Sequence, residues 1–188
     1  AQFVIKSLPI DNIIKNKFEQ GEKSEYLPYV MDYAAGSGHF LTETMHEMQR
    51  IIDTNKYTNV KADVAKFIDQ ARRYHFDWAF DYVYGIEKDY RLVKVGKVGC
   101  YLHGDGLANV IHSDGLARFS HVDYKGILSN QDKDFPKENK QFDIIVSNPP
   151  YSVSAFRNNA SKYYNSNEFD LYNKLTDVSS EIECLFIE

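Results

Sequence analysis

The segment from Tyr29 to Ile52 constrains the fold more than any other part of the chain. Tyr29-Val30-Met31-Asp32-Tyr33 is a short apolar run, and Ala34-Ala35-Gly36-Ser37-Gly38 is a tight glycine turn. From His39 to Ile52 the residues Phe40, Leu41, Met45, Met48 and Ile52 then recur at helical spacing. A strand that feeds a helix through a glycine turn is the opening unit of a parallel α/β sheet. Such sheets bind ligands beyond the carboxyl ends of their strands.

The rest of the chain repeats this alternation. Asn59 to Tyr74 predicts a second, more polar helix, and Asp81 to Glu87 a second strand. Asp89 suits the cap of a helix running to about Val98. Gly99-Cys100-Tyr101-Leu102-His103 reads as a third strand ending at Gly104-Asp105-Gly106. After a polar region over 113–141, Phe142 to Ser147 reads as a fourth strand, ending at Asn148-Pro149-Pro150-Tyr151. A helix is expected from about Asp170 to the end. The run Ile144-Ile145-Val146 is apolar without alternation, as in a strand covered on both faces. The first 28 residues are polar and mixed, with a short helix expected over Asp11 to Phe18; they read as a lead-in arm before a domain over 29–188.

Composition excludes several classes. With 43% hydrophobic residues this is an ordinary globular chain. A net charge of −5 leaves no basic excess for gripping phosphates, so a DNA-directed activity implies help from another domain or subunit. Cys100 and Cys184 match no metal spacing and suit a reduced, cytoplasmic protein; no metal site is expected. No apolar run approaches a membrane span.

The unusual residues all lie at expected strand ends. Gly36 and Gly38 permit positive φ and close approach of backbone to a ligand. A dinucleotide site would favour a third glycine where Leu41 stands, so a pyrophosphate fits poorly. Asp32 suits a ligand ammonium or a helix cap equally. Glu87 suits the two hydroxyls of a ribose, or a solvated strand end. Asp105 suits an exocyclic amino group or a local turn bond. The strongest signal is Asn148-Pro149-Pro150-Tyr151. Two prolines stiffen the backbone and hold Asn148 extended. The Asn148 side-chain oxygen and the Pro149 carbonyl can then converge on one amino group, while Tyr151 offers a flat face for a planar ring.

Taken together these four features resemble the adenine-N6 DNA methyltransferases. Asp32 to Phe40 looks like their cofactor motif, Tyr84-Gly85-Ile86-Glu87 their ribose motif, and His103-Gly104-Asp105-Gly106 their adenine-contacting motif. Asn148-Pro149-Pro150-Tyr151 looks like their catalytic motif. The motif order is that of the gamma arrangement, and the surrounding text, including Ser179 to Glu183, is most similar to the modification subunit of type I restriction-modification systems. The resemblance implies a Rossmann-like α/β methyltransferase fold with S-adenosylmethionine bound by Asp32, Ala34, Gly36, Ser37, Gly38, Phe40, Glu87, Asp105 and Gly106. It implies a double-stranded DNA substrate whose adenine is flipped out of the stack onto Asn148, Pro149, Pro150 and Tyr151. It also implies a DNA-specificity subunit, and a restriction subunit, as partners. Tyr33-Ala34-Ala35 departs from the family's Pro-Ala-Cys, and only four of the family's seven strands are legible. The chain therefore reads as a truncated version of the fold, incomplete at the C-terminus, with an exposed strand edge that favours oligomers. Two other readings stay open: a protein-glutamine methyltransferase, which uses the same proline corner on a planar amide, and a cofactor-binding fragment without turnover.

Overall fold

The structure, a computed structural model, describes residues 1–21, 25–102, 104, 109–118, 121–124, 127–128, 142–150, 169–171 and 183–188. It divides into two compact units, Ala1–Ser147 and Asn148–Glu188.

In the first unit, helices α1 (Gln2–Ser7) and α2 (Ile10–Gln20) precede strand β1 (Val30–Asp32). Then come α3 (His39–Thr54), α4 (Ala62–Arg73), the short α5 (Ala79–Tyr82), β2 (Val83–Glu87) and α6 (Tyr90–Leu102). Strands β3 (Asn109–His112) and β4 (Ile144–Ile145) follow. Among the described residues the sheet is four-stranded, in the order β3-β2-β1-β4, and every pairing is parallel. This is the parallel α/β architecture that the alternating pattern predicts, and it is consistent with the truncated Rossmann-like fold that the resemblance implies.

The strands are apolar on both faces because both faces are covered. Val30, Val83, Val110 and Ile144 join the large core formed with the helices. Their neighbours Met31, Tyr84 and Ile111 belong to a second cluster, closed by Tyr124 and Leu128. Successive strand residues point to opposite faces, so each strand feeds both clusters. The exception is Ile145, at the outer strand of the described sheet, which is 59% exposed.

The first twenty residues enter the main core rather than standing off it. Ile5, Ile10, Ile14 and Phe18 are fully buried there. The helix expected over Asp11 to Phe18 is α2, one residue longer at its start and two at its end. Lys17 of α2 pairs with Asp143 at 3.1 Å, and the other Asp143 oxygen accepts the Tyr29 N–H at 2.8 Å. These contacts tie α2 to the starts of β1 and β4.

Three expectations about elements need correction. Asp81 and Tyr82 belong to α5, so β2 starts at Val83. Asp170 and Leu171 form a turn, and the described C-terminal helix, α7, is Glu183–Ile187. The third concerns Gly99 to Leu102, which is the last turn of α6 and not a strand. Val93, Gly96 and Cys100 are buried at spacings of three and four residues, so the helical face simply continues. Tyr101 and Leu102 are 66% and 77% exposed, which a strand inside this sheet would not allow. The actual third strand, β3, lies beyond Gly104-Asp105-Gly106 instead of before it. Asp89 caps α6 as expected, its carboxylate accepting the Arg91 N–H at 2.8 Å.

In the second unit, the Glu188 carboxylate accepts the backbone N–H groups of Asp170, at 2.5 Å, and Leu171, at 3.0 Å.

Candidate functional site

The carboxyl ends of β1 and β2 meet at the glycine turn. Gly36 and Gly38 both have positive φ, 54° and 83°, which explains why glycine stands at each. The turn is closed by two backbone bonds, Ala35 N–H to the Ile86 carbonyl at 2.9 Å and Gly38 N–H to the Ala35 carbonyl at 2.8 Å. A Cβ on Gly36 would meet nothing within 4 Å, so the space beside it is open. A Cβ on Gly38 would stand 3.4 Å from the Cα of Gly96 in α6. The first glycine faces open space, and the second lets a helix approach. Ser37 Oγ lies 2.7 Å from His39 Nδ1, and Phe40 packs half-buried against the main core.

Glu87, the last residue of β2, holds the turn from the neighbouring strand. Its Oε2 accepts the Gly36 N–H at 2.8 Å, and its Oε1 accepts the Asp89 N–H at 2.6 Å. Each oxygen keeps a second lone pair. The carboxylate is thus fixed in place while still able to accept from a ligand.

Asp32, the last residue of β1, is only 1% exposed. Its Oδ1 accepts the Ala34 N–H at 3.1 Å and the Ser147 hydroxyl at 2.9 Å. Its Oδ2 is buried and has no hydrogen-bond partner among the described residues. Burial pushes the Asp32 carboxyl up, to about 6, and the negative charge of Glu87 adds to that push. The bonds from Ala34 and Ser147 oppose it, because they favour the ionised form. A buried carboxylate oxygen without a partner is costly, and it marks a place where a cationic or donor group is suited to bind.

Sequence reasoning did not single out Ser147 or Asp114. Ser147 ends the first unit and directly precedes Asn148 in the chain. Asp114 follows β3 by two residues, the place at which an acidic residue was expected but credited to Asp105. Its Oδ1 accepts the Leu116 N–H at 3.1 Å, and its Oδ2 pairs with Lys88 at 2.5 Å. The neighbouring Ser113 N–H donates to the Glu87 carbonyl at 3.2 Å, which joins the tips of β2 and β3. The signal for β3 was the β-branched pair Val110-Ile111.

Asp32, Ala34, Gly36 and Glu87 are therefore brought together, with Ser147 beside them. Asp105, Gly106 and Tyr151 lie outside the described residues. Asn148, Pro149 and Pro150 open the second unit. Among the described residues, no helix is long and apolar enough to cross a membrane. The family model described as N-6 DNA methylase matches residues 10–181. No curated protein matches the chain.

Proposed function

The chain belongs to the N-6 DNA methylase family, and from that premise we propose that it transfers a methyl group from S-adenosylmethionine to N6 of an adenine in duplex DNA. The observation that carries this reading is the cluster at the strand tips, in which Asp32, Gly36 and Glu87 stand together at the ends of parallel strands. S-adenosylmethionine fits the residues present on two counts. The unpartnered Oδ2 of Asp32 suits the cofactor's ammonium, and the open space at Gly36 admits a ligand against bare backbone. The glycine turn, with Ala34, Ser37 and Phe40 around it, would hold the methionine end, and Glu87 would accept from the ribose hydroxyls. The acceptor for the cofactor's adenine amino group is assigned to Asp114, which follows β3, in place of Asp105, which precedes it. When bound, S-adenosylmethionine supplies an electrophilic methyl group on a sulfonium centre.

On the substrate side, Asn148 and Pro149 accept the two N–H bonds of the target amino group. That orients the nitrogen lone pair, and the stiffness conferred by Pro150 holds the arrangement. Tyr151 stacks on the flipped base. The catalytic contribution is alignment and placement of partial charge, with no covalent intermediate on the protein.

The finer part of the reading is that this chain acts as a modification subunit of a type I system, in the cytoplasm. It would work beside a DNA-specificity subunit, with a restriction subunit as a further partner. The net charge of −5 supports a division of labour in which a partner supplies most of the grip on phosphates. The exposed Ile145 on the outer strand supports contact with a further chain.

The test is methyl transfer from labelled S-adenosylmethionine onto duplex DNA, assayed with the partner subunits present. Asn148→Ala is expected to lower transfer by about a hundred- to a thousandfold while leaving cofactor affinity by calorimetry unchanged. Simultaneous loss of both would refute the separate roles, and methylation of a protein glutamine in place of DNA would overturn the substrate.

A further inference from the structure

The mechanism above leaves one hydrogen bond without a role. Ser147 is the last residue before the proline corner, and its hydroxyl reaches across from the β4 side of the sheet to the carboxylate at the tip of β1. It is a single contact between the residue credited with the cofactor ammonium and the residue that leads into the catalytic loop. The strands beneath it are paired directly, Val30 with Ile144 and Met31 with Ile145, and Val146 N–H donates to the Met31 carbonyl at 3.0 Å. Backbone pairing thus brings Ser147 one residue beyond the position opposite Asp32, and the hydroxyl reaches back to add a side-chain rung to the ladder.

We propose that Ser147 is a positioning residue that sets the orientation and charge of Asp32 for cofactor binding; this rests on the cofactor-binding reading of Asp32 given above. The hydroxyl donates to Oδ1, which the Ala34 N–H also occupies, so the carboxylate is pinned through one oxygen. The second oxygen, Oδ2, is thereby left uncommitted and cannot be exchanged with Oδ1 without breaking both bonds. Asp32 is buried, and the groups acting on it are few. Glu87 on β2 opposes its ionisation, while the Ala34 N–H in the turn and the Ser147 hydroxyl beyond β4 favour it. The adjacent Tyr33 phenol is itself made harder to ionise, by burial first and by the Asp32 charge second. Among the described residues these influences include no cation, and the ionised state of Asp32 there is favoured by two hydrogen bonds. One is from backbone and invariant to substitution. The other is the Ser147 hydroxyl.

The experiment compares the wild type with Ser147→Ala and Ser147→Thr. The carboxyl titration of Asp32 is followed in the cofactor-free protein by NMR, with Asp32→Asn to assign the signal. Losing one hydrogen bond to an ionised group moves its midpoint up by about one pH unit, so Ser147→Ala should show that rise and Ser147→Thr, which keeps the hydroxyl, should not. Calorimetry with S-adenosylmethionine gives the second readout. With the ionised fraction of Asp32 limiting, Ser147→Ala should bind about fivefold more weakly than wild type at pH 6 and within about twofold at pH 8. An unchanged midpoint in Ser147→Ala overturns the proposal. So does an equal loss of affinity at both pH values, which is the mark of a merely structural defect. If the wild type itself fails to bind the cofactor, the functional reading fails; the titration of the free protein then still decides whether Ser147 controls Asp32.

Discussion

At the scale of single residues, Asp32 is costly to the free protein and suited to a ligand. Burial raises its carboxyl from 3.8 to about 6, so the folded state binds a proton more readily than the unfolded chain does. The sign follows directly. Stability associated with the protonated form is fully present below about pH 4 and is lost as pH rises through about 6. Between about pH 3 and pH 7 the wild type should lose up to about 3 kcal/mol relative to Asp32→Asn, which cannot ionise. Denaturant melts of both proteins across that range check it, and parallel pH profiles would contradict it. Asp32, Gly36 and Glu87 were legible in the sequence because their residue types are unusual at strand ends. Ser147 was not. A serine before Asn148 is unremarkable until strand pairing brings it beside a carboxylate 115 positions away in the chain.

At the scale of elements, two glycines look alike in sequence and differ in what surrounds them. A Cβ on Gly85 of β2 would fall 2.7 Å from Leu41 Cδ1 and 3.1 Å from Ala35 Cβ. Leu41 is fully buried in α3 and has no room to yield. Gly85→Ala should therefore destabilise the protein by about 1–3 kcal/mol through overpacking. A Cβ on Gly96 of α6 would meet its nearest atom at 3.7 Å, an ordinary contact. Alanine is the better helix former by about 1 kcal/mol, so Gly96→Ala should be neutral or stabilising by up to that amount. Chemical denaturation midpoints of the two variants test the contrast, and a reversed order would show that α6 does not pack against the turn as described. The same helix explains the one strand that sequence reasoning misassigned. Gly99 to Leu102 carries aromatic and apolar residues suited to either structure, and only the buried series Val93, Gly96, Cys100 decides for a helix. That series is set by which face meets the glycine turn, a tertiary fact that local pattern does not contain.

At the scale of the whole molecule, the parallel α/β architecture was readable because apolar runs, glycine turns and helical periodicity agree with one another, although the third strand was misplaced. The integration of the first twenty residues into the core was harder to read. Ile10, Ile14 and Phe18 are spaced as a helical face, but polar residues separate them and dilute the signal. Charge makes a prediction at this scale. With a net −5, the chain by itself should bind non-specific duplex DNA more weakly than about 10⁻⁴ M at physiological salt. Fluorescence anisotropy with a labelled duplex measures this, and micromolar affinity with a steep salt dependence would show a basic face that net charge conceals.

The pairing of Lys17 with Asp143 carries a practical consequence for anyone who would trim this protein. Starting the chain at the first strand would strip the cover from Val30 and leave Asp143 without the Lys17 cation, at the root of the strand that leads into the proline corner. The opening helices thus serve as a wedge under the starts of β1 and β4, and a shortened chain would lose its footing with every residue of the glycine turn still in place.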